Sequence, residues 1–504
     1  MQYGFVIDHT RCIGCHACTT ACKSENDVPV GAFRTWVKYT EVGTFPSVRR
    51  HFGVLRCNHC TSAPCVTICP VTALNKRPDG IVDLDRDVCI GCKACMQACP
   101  YDALYINEDK GCAEKCHFCA HRIEQNLEPA CVVVCPEQAI LFGDLHDPTS
   151  KVSQMRDQAG TLARRVEQKT GPNVHYVGAH AAVLTPGKSK EAPMYLWSER
   201  RELAAEWPEE RDDLTPNTLT ALDVHHPVVW GWKVNLYLVT KGIAGGAAML
   251  APFATALGLT GFSAAYLPEI LGLVFLNLTT LLLVADLKRP QKFLSLLLRP
   301  NTKSWLVKGA WVLMGFGALQ AAALAARFFG ASLLADLLRW PAAGLGAATA
   351  GYTAFLFAQC EGRDLWQNWK LLLPHLLVQA LFLGALALLP FAPQSHGLAW
   401  TVLLTAFLHL VCALLELKGS HPTDNARQAA MLLPRVPLWP GSKLMAFSEG
   451  ILLTSAVGVL AVGLGLFVAP LSLPVAAVLA LGGGVGIYFY EQAYVRAGQL
   501  PPLS

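Results

Sequence analysis

The chain carries few charged residues for its length. Lysine, arginine, aspartate and glutamate make up 15% of its 504 residues, whereas 53% of the residues are hydrophobic. This composition excludes a highly charged disordered chain and predicts a large apolar region. No stretch interleaves basic and aromatic residues in the manner of a nucleic-acid-binding surface, so we expect no nucleic-acid partner.

The N-terminal stretch also lacks a feature, the apolar core of a secretory signal peptide. It reads MQYGFVIDHTRC, and a signal peptide would need a longer apolar run there. We therefore do not expect a secreted scaffold held by disulfides.

Cysteine is abundant and unevenly placed. The chain has 19 cysteines, of which sixteen form four groups of four near the N-terminus. The groups are Cys12/Cys15/Cys18/Cys22, Cys57/Cys60/Cys65/Cys69, Cys89/Cys92/Cys95/Cys99 and Cys116/Cys119/Cys131/Cys135. Groups one and three read C-x2-C-x2-C-x3-C; groups two and four keep this order with a longer middle gap.

Three explanations compete for these groups: iron–sulfur clusters, zinc sites and disulfides. Zinc sites use paired C-x2-C knuckles and need no third cysteine two residues further on. Three close cysteines and a fourth after a short gap are typical of bacterial ferredoxins, where the fourth reaches a neighbouring [4Fe–4S] cluster. The pattern therefore favours [4Fe–4S] clusters. Cys112 is a spare thiol or an alternative ligand, and Cys360 and Cys412 are interpreted as packing residues.

After residue 225 the sequence changes to long apolar runs. A membrane-spanning helix needs about 20 apolar residues. Eight such runs are predicted, at about 231–259, 264–286, 305–328, 340–360, 371–391, 398–416, 444–469 and 474–492. The predicted fold is thus an α+β ferredoxin-like domain with four clusters over 1–190, an exposed charged linker over 191–225 and an all-α polytopic membrane domain of eight transmembrane helices over 226–504.

Basic residues are unevenly distributed between the predicted loops. With eight spans, both termini lie on one side, and that side holds nearly all the lysines and arginines of the loops, for example Lys288, Arg289 and Lys292. The positive-inside rule places this side, and with it the iron–sulfur domain, in the cytoplasm, and the membrane is then the inner membrane of the cell. A basic loop that faces a docked domain would give the same distribution without setting the orientation.

The cysteine groups, together with the segment Phe142-Gly143-Asp144-Leu145-His146-Asp147-Pro148, resemble the four-cluster ferredoxin subunits of complex iron–sulfur molybdoenzymes, such as dimethyl sulfoxide, polysulfide and nitrite reductases. The membrane half is similar to anchors of the polysulfide reductase type in its Trp230-Gly231-Trp232, Asp286-Leu287-Lys288-Arg289-Pro290 and Gly351-Tyr352-Thr353 stretches. The two parts are separate chains in most relatives and look fused here.

The resemblance implies that group one pairs with group four and group two with group three. The four implied ligand sets are Cys12, Cys15, Cys18 and Cys135; Cys57, Cys60, Cys65 and Cys99; Cys89, Cys92, Cys95 and Cys69; and Cys116, Cys119, Cys131 and Cys22. Because all sixteen cysteines are present, four [4Fe–4S] clusters are expected as cofactors.

The resemblance also implies a quinone site at the ferredoxin-facing end of the first span. The candidate residues there are Trp232, Asn235 and Tyr237, joined by Tyr352 from the fourth span and by Asp286 for proton handling. Tyr237 departs from the family pattern, which has a histidine quinone ligand. The alternatives are ordinary interfacial aromatics for Trp232 and Tyr237, and for Asp286 an ion pair with Arg289.

Other ionisable residues within the apolar runs are functional candidates because their burial in a membrane is costly. They are Lys241, Glu269, His409 and Glu416. Of these, Glu269 is a candidate for the start of a proton route. His375 and His409 are the one plausible pair of haem ligands, but the pattern does not repeat, so no haem is expected.

The sequence therefore predicts a subunit of a quinone-linked respiratory oxidoreductase. It would pass electrons between a molybdopterin-containing catalytic subunit and the membrane quinone pool, and the substrate chemistry would belong to that partner. Two alternatives remain: a redox-driven proton-translocating module, which needs a continuous chain of ionisable residues, and an anchor without a quinone site.

Overall fold

The computed structural model describes residues 1–158, 160–191, 215–225, 227–467 and 472–504. The N-terminal half is α+β. Its strands are β1 (Tyr3–Asp8), β2 (Thr35–Val42), β3 (Arg49–Arg56), β4 (Leu74–Lys76), β5 (Val82–Leu84), β6 (Leu104–Asn107), β7 (Cys112–Lys115), β8 (Ile140–Asp144), β9 (Leu162–Ala163), β10 (Val174–Val177), β11 (Lys190–Glu191) and β12 (Thr218–Leu222).

Two four-stranded sheets frame the cysteine-bearing loops. Their strand orders are β8-β1-β10-β9 and β11-β12-β2-β3, and two hairpins, β4-β5 and β6-β7, complete the set. Strand β1 pairs in parallel with β10 and antiparallel with β8. This central position explains its run of Phe5, Val6 and Ile7, all of which are fully buried, since a strand covered on both faces carries apolar residues on both.

The helices of this half are short and mostly follow cysteine loops. They are α1 (Ala17–Asn26), α2 (Pro64–Ile68), α3 (Ala94–Ala98), α4 (Ala120–Ile123), α5 (Ala130–Val133), α6 (Lys151–Arg156) and α7 (Ala181–Leu184). Helices α1 and α3 each begin after a residue with positive φ, His16 at 60° and Lys93 at 64°. This reversal ends each cysteine loop, so that the fourth cysteine of the group lies on or at the end of the following helix.

The stretch predicted as a charged linker, 191–225, lies largely outside the described residues, which exclude 192–214. At its C-terminal end, β12 pairs with β2 and with β11. This part of the chain therefore belongs to a sheet of the iron–sulfur domain. The reason is that β2 has a free edge opposite β3, and an added strand satisfies its backbone groups.

The C-terminal half is helical. Its helices are α8 (Trp232–Leu250), α9 (Gly261–Ala265), α10 (Leu267–Asp286), α11 (Ser295–Leu298), α12 (Trp305–Phe328), α13 (Ser332–Ala358), α14 (Trp369–Leu388), α15 (His396–Lys418), α16 (Asp424–Leu432), α17 (Ala446–Phe467) and α18 (Leu473–Gln499). Within the described ranges, 7 helices are long and apolar enough to cross a membrane: α8, α10, α12, α14, α15, α17 and α18.

The predicted fourth span, 340–360, corresponds to α13, which is not among these seven. Helix α13 begins earlier, at Ser332, and its first half includes Asp336, Arg339 and Pro341. It packs against α8 and α12. The helix has 27 residues, so its length does not separate it from the other seven, but polar residues such as Thr349, Tyr352 and Thr353 continue through its second half.

The two halves share one hydrophobic core and a polar interface. The core contains cluster-loop residues such as Cys95 and Tyr101 together with Trp230 and Trp366 of the helical half. At the interface, the Lys288 amide donates to the Gly91 carbonyl at 3.3 Å, and Gly91 has a φ of +70° with Lys288 so close that a side chain would clash. The loop after α10 is therefore built to contact the third cysteine group.

Candidate functional site

The structure brings the cysteines together across their sequence groups. Cys22 of group one lies beside Cys116, Cys119 and Cys131 of group four, and Cys135 of group four lies beside Cys12. The exchange follows from the fold, because α1 packs against α5. The assignment of individual cysteines to clusters stays a prediction.

Groups two and three exchange their fourth cysteines in the same way. Cys99 lies beside Cys57, Cys60 and Cys65, because α2 packs against α3. Cys69 lies beside Cys89, Cys92 and Cys95 in return. Burial, with the neighbouring Cys57, raises the pKa of Cys60 to about 12, and burial, with Cys69, raises the pKa of Cys92 to about 12.

The close packing of several buried thiols suits a bound, positively charged group that contains more than one atom. Four buried thiolates would repel one another, and iron stabilises their deprotonated form. Among the described residues, no three His, Cys, Asp or Glu side chains converge closely enough to hold a single metal ion. Cys22, Cys116, Cys119 and Cys131 line one small cavity, an arrangement that suits a multi-atom cluster.

Hydrogen bonds to sulfur complete these sites. The Ala139 amide donates to Cys135 Sγ at 3.2 Å, and Asn26 Nδ2 lies 3.7 Å from both Cys22 Sγ and Cys119 Sγ. Arg56 Nη1 donates to Cys131 Sγ at 3.2 Å. Such bonds and charges set the reduction potential of a cluster. The spacing of the cysteines carried no sign of Arg56, which comes from β3.

Successive cysteine sets lie side by side from the helical half to the surface. Cys95 neighbours Cys65, Cys57 neighbours Cys116, and Cys131 neighbours Cys18. At the end of this row, Cys15 is exposed. Cys112 is fully buried on β7, with Cys89 among its neighbours.

A cavity lies where the helical half meets the third cysteine group. Its volume is about 470 Å³, within the range of small-molecule sites. Cys92, Tyr237, Asp286 and Tyr352 line it together with apolar residues of α10, α11 and α12. A cavity with apolar walls and a few polar groups at one end suits a ring molecule with polar substituents.

Three of the five predicted quinone-site residues thus line one cavity. Trp232 is instead 58% exposed, as an interfacial aromatic would be. Asn235 is buried, and its side chain reaches Tyr488 of α18. Asp286 does not pair with Arg289: its carboxylate accepts from Lys93 Nζ at 2.8 Å.

Arg289 and its neighbours dock the iron–sulfur domain. Arg289 donates to the Arg86 carbonyl at 2.6 Å and to the Lys110 carbonyl. Lys288 Nζ lies 2.6 Å from Glu108 Oε2, and Lys292 donates to the Asp87 carbonyl. These basic residues have a local structural task, so their positions do not by themselves report the orientation in the membrane.

Behind the two tyrosines of the cavity lies Lys241, which is 1% exposed. Its Nζ donates to the Thr353 hydroxyl and lies 4.8 Å from the ring centre of Tyr352. The hydroxyls of Tyr237 and Tyr352 are close to the same threonine. Thr353 therefore joins the lysine to both phenols, a role that no pattern in the sequence indicated.

Of the other ionisable candidates, His409 and Glu416 share a buried hydrogen-bonded cluster with His375. His375 Nε2 lies 2.7 Å from His409 Nδ1, and His375 Nδ1 lies 2.9 Å from Glu416 Oε1. Glu269 is elsewhere, in a buried ion pair with Arg339 at 2.6 Å. The two histidines considered as haem ligands are thus hydrogen-bonded to each other.

Comparison with known proteins matches both halves. Residues 48–145 match the family described as "4Fe-4S dicluster domain", and residues 221–416 match "Polysulphide reductase, NrfD". A tetrathionate reductase subunit of Salmonella typhimurium is 44% identical over 202 residues, which are 39% of this chain and 80% of the relative.

Two further relatives agree with this match. A putative dimethyl sulfoxide reductase iron–sulfur subunit of Halobacterium salinarum is 39% identical over 40% of this chain and 89% of the relative. The arsenate respiratory reductase iron–sulfur subunit ArrB of Shewanella sp. is 35% identical over 35% of this chain and 96% of the relative.

These matches and the fold define an iron–sulfur electron-transfer protein with a helical multi-pass membrane domain. More particularly, the chain belongs to the family of iron–sulfur subunits of reductase complexes and is a fusion of such a subunit with a polysulfide-reductase-type (NrfD) membrane anchor.

Proposed function

We propose that this chain passes electrons between the membrane quinone pool and a molybdopterin-containing catalytic subunit. One observation carries the proposal: the wall of a single apolar cavity contains Cys92 together with Tyr237, Tyr352 and Asp286. Quinone bound there would be in contact with a ligand of the third cysteine set and with groups able to hydrogen-bond its carbonyls.

The four cysteine sets hold one [4Fe–4S] cluster each in this proposal, as the exchanged fourth cysteines support. Such clusters supply one-electron transfer when bound. The positions of the cysteine sets support one order of electron transfer. The set with Cys92 adjoins the cavity, the sets with Cys65 and Cys116 follow, and the set with Cys15 lies at the surface.

The partner subunit docks at the exposed end of this row. Ile13, two residues before Cys15, is 55% exposed, and Val133, between Cys131 and Cys135 of the fourth group, is 61% exposed. Exposed apolar side chains around the last cysteine set of the row suit an interface with another protein. Because the relatives bear names of reductase iron–sulfur subunits, the chemistry of the terminal substrate belongs to that partner.

In the membrane, Tyr352 and Tyr237 bind the quinone carbonyls, and Asp286, which lines the cavity and pairs with Lys93, exchanges protons there. We also propose that α13 crosses the membrane as the eighth span, since it packs along α8 and α12. Basic loop residues outside the docking contact, such as Lys370, Lys418 and Lys443, support a cytoplasmic position of the iron–sulfur domain at the inner membrane. Labelling of a cysteine placed at exposed Val30 in intact cells and in inverted vesicles tests this orientation.

Filling the cavity tests the quinone site. Ala310 of α12 lines it, so Ala310→Trp should block entry of a quinol, whereas Ala325→Trp on the exposed face of the same helix should not. The measurement is reduction of the iron–sulfur clusters of the purified full chain by duroquinol, followed by visible absorbance. We expect the rate to fall at least about 100-fold in Ala310→Trp. Equal rates in both variants, or no reduction of the parent protein, would refute the proposal.

A further inference from the structure

A second polar site lies within the helical bundle, outside the cavity. His375 on α14, His409 and Glu416 on α15 and Tyr490 on α18 form one hydrogen-bonded cluster, with both histidines 0% exposed. The Tyr490 hydroxyl donates to Glu416 Oε2, and Glu416 Oε1 lies 2.9 Å from His375 Nδ1. Ionisable groups buried in a membrane bundle are costly and point to a function.

Packing alone does not account for this cluster. His409 Nε2 is buried and has no hydrogen-bond partner among the described residues, so one acid–base position of the cluster remains open. Next to Tyr490, Glu491 is 2% exposed and has Gln379 and His375 as polar neighbours. Polar side chains that only held the helices together would form complete hydrogen bonds. They would not include a buried histidine nitrogen without a partner or a second carboxyl group.

Glu491 and Lys241 lie between the cluster and the quinone cavity. Glu491 hydrogen-bonds with Gln379 and interacts electrostatically with His375, Glu416 and Lys241. Helix α18, which carries Glu491, packs against α8, which carries Lys241. Lys241 donates to Thr353, whose hydroxyl is close to the two cavity tyrosines. Gln379 Nε2 adds a contact to His375 Nε2 at 3.5 Å.

The ionisable groups near this route come from five of the long helices packed around it, whereas α17 contributes the ring of Phe447 against Tyr490. They are Tyr237 and Lys241 of α8, Tyr352 of α13, His375 of α14, His409, Cys412 and Glu416 of α15, and Tyr490, Glu491 and Tyr494 of α18. Residues far apart in the sequence thus form a row of polar groups that connects several helices of the bundle.

We propose that the His375–His409–Glu416–Tyr490 cluster is a proton-relay site that exchanges protons with the quinone cavity through Glu491 and Lys241. This inference rests on the proposed quinone function. Oxidation of one quinol to quinone releases two electrons and two protons; the electrons pass to the iron–sulfur half, and the protons pass along the row. Each group in the row gives one proton for each it accepts, so that the row is unchanged after turnover.

Two substitutions with matched controls test the relay. His409→Gln and Glu416→Gln each remove an acid–base group from the cluster. On the same helix as His409, His396 is exposed, and Glu449 on α17 is a half-buried carboxyl group outside the cluster, so His396→Gln and Glu449→Gln make the same chemical changes elsewhere. All variants are purified as the full chain with its clusters and reconstituted in phosphatidylcholine vesicles.

Three quantities are measured: duroquinone affinity, the rate of cluster reduction by duroquinol and its solvent isotope effect in D2O. In His409→Gln and Glu416→Gln we expect unchanged affinity, a rate lower by about 10-fold or more and a larger isotope effect, because proton transfer becomes limiting. The two controls should keep the parent values, and Glu416→Asp should recover most of the rate.

The outcomes separate the relay from the quinone site. Rates of His409→Gln and Glu416→Gln equal to those of the controls would overturn the relay and leave the quinone site standing. A lower rate that follows entirely from weaker duroquinone affinity would assign the cluster a structural role and also overturn the relay. Failure of duroquinol to reduce the parent protein would overturn the proposed function, and the relay with it.

Discussion

Arg56 in the iron–sulfur half and Lys241 in the membrane half are both buried basic residues, and their surroundings differ. Arg56 is 0% exposed, donates to Cys131 Sγ and lies 4.4 Å from the ring centre of Phe5. Lys241 is 1% exposed and contacts a hydroxyl group and the face of Tyr352. Arg56 thus faces cysteine sulfur, and Lys241 faces a hydroxyl group and an aromatic ring.

This difference matches the chemistry proposed for each half. The charge of Arg56 is balanced by thiolates that stay in place, so it acts as a fixed field on electron transfer. The neighbours of Lys241 in direct contact are neutral, so its hydrogen bonds can be rearranged when a ligand or a proton arrives. Substitutions in the iron–sulfur half should therefore change the reduction potentials of the clusters. Substitutions in the membrane half should change the affinity for quinone and the rate of cluster reduction.

The largest effect is expected for Cys92, where the two halves meet. Cys92→Ala removes a proposed cluster ligand that also lines the cavity, so cluster reduction by duroquinol should be abolished and one cluster lost or altered. Iron content and electron paramagnetic resonance spectra check this. Cys112→Ala serves as the control and should keep all its iron; loss of iron in that variant would instead assign Cys112 as a ligand.

Arg56→Met should lower the reduction potential of one cluster by about 100 mV, since a unit charge several ångströms away is removed from a poorly screened site. Redox titration followed by electron paramagnetic resonance measures the shift. Arg50→Met, at an exposed ion pair of the same strand, should leave the potentials unchanged. Equal potentials in both variants would contradict the role assigned to Arg56.

Tyr352→Phe should weaken duroquinone binding by about 10-fold, because one hydrogen bond to a quinone carbonyl is lost, while cluster potentials stay constant. Quinone-dependent quenching of tryptophan fluorescence gives the affinity. Tyr266→Phe, at the opposite end of the bundle, is the matched control. A shift of cluster potentials without a change in affinity would argue against Tyr352 as a quinone ligand.

The smallest effect is expected at the contact between the halves. Asp286→Asn breaks the ion pair with Lys93, whose side chains are 19% and 8% exposed, and should destabilise the interface by about 1 kcal/mol. Loss of cluster absorbance on heating should begin at a lower temperature. Asp336→Asn, which affects ion pairs with Arg327 and Arg339 within the helical half, should leave the loss of cluster absorbance at the parent temperature. A similar shift in both variants would show that the contact between the halves does not limit the thermal stability of the clusters.

The sequence by itself determined the cofactor-bearing half and the apolar half. Cysteine ligands follow one another at short spacings because a cluster is gripped by a local loop, and membrane helices need long apolar runs, so both patterns are visible along the chain. Tyr237, Tyr352 and Asp286 were found by resemblance, and the structure places them around one cavity.

The tertiary structure alone decided which distant residues meet. Lys93 reaches Asp286, Arg56 reaches Cys131, and Thr353 joins Lys241 to the tyrosines. The ionisable residues of the apolar runs looked scattered, yet His375, Glu416 and Tyr490 form one cluster. The physical reason is that helix packing brings together side chains from separate spans, and no local spacing in the sequence records such contacts.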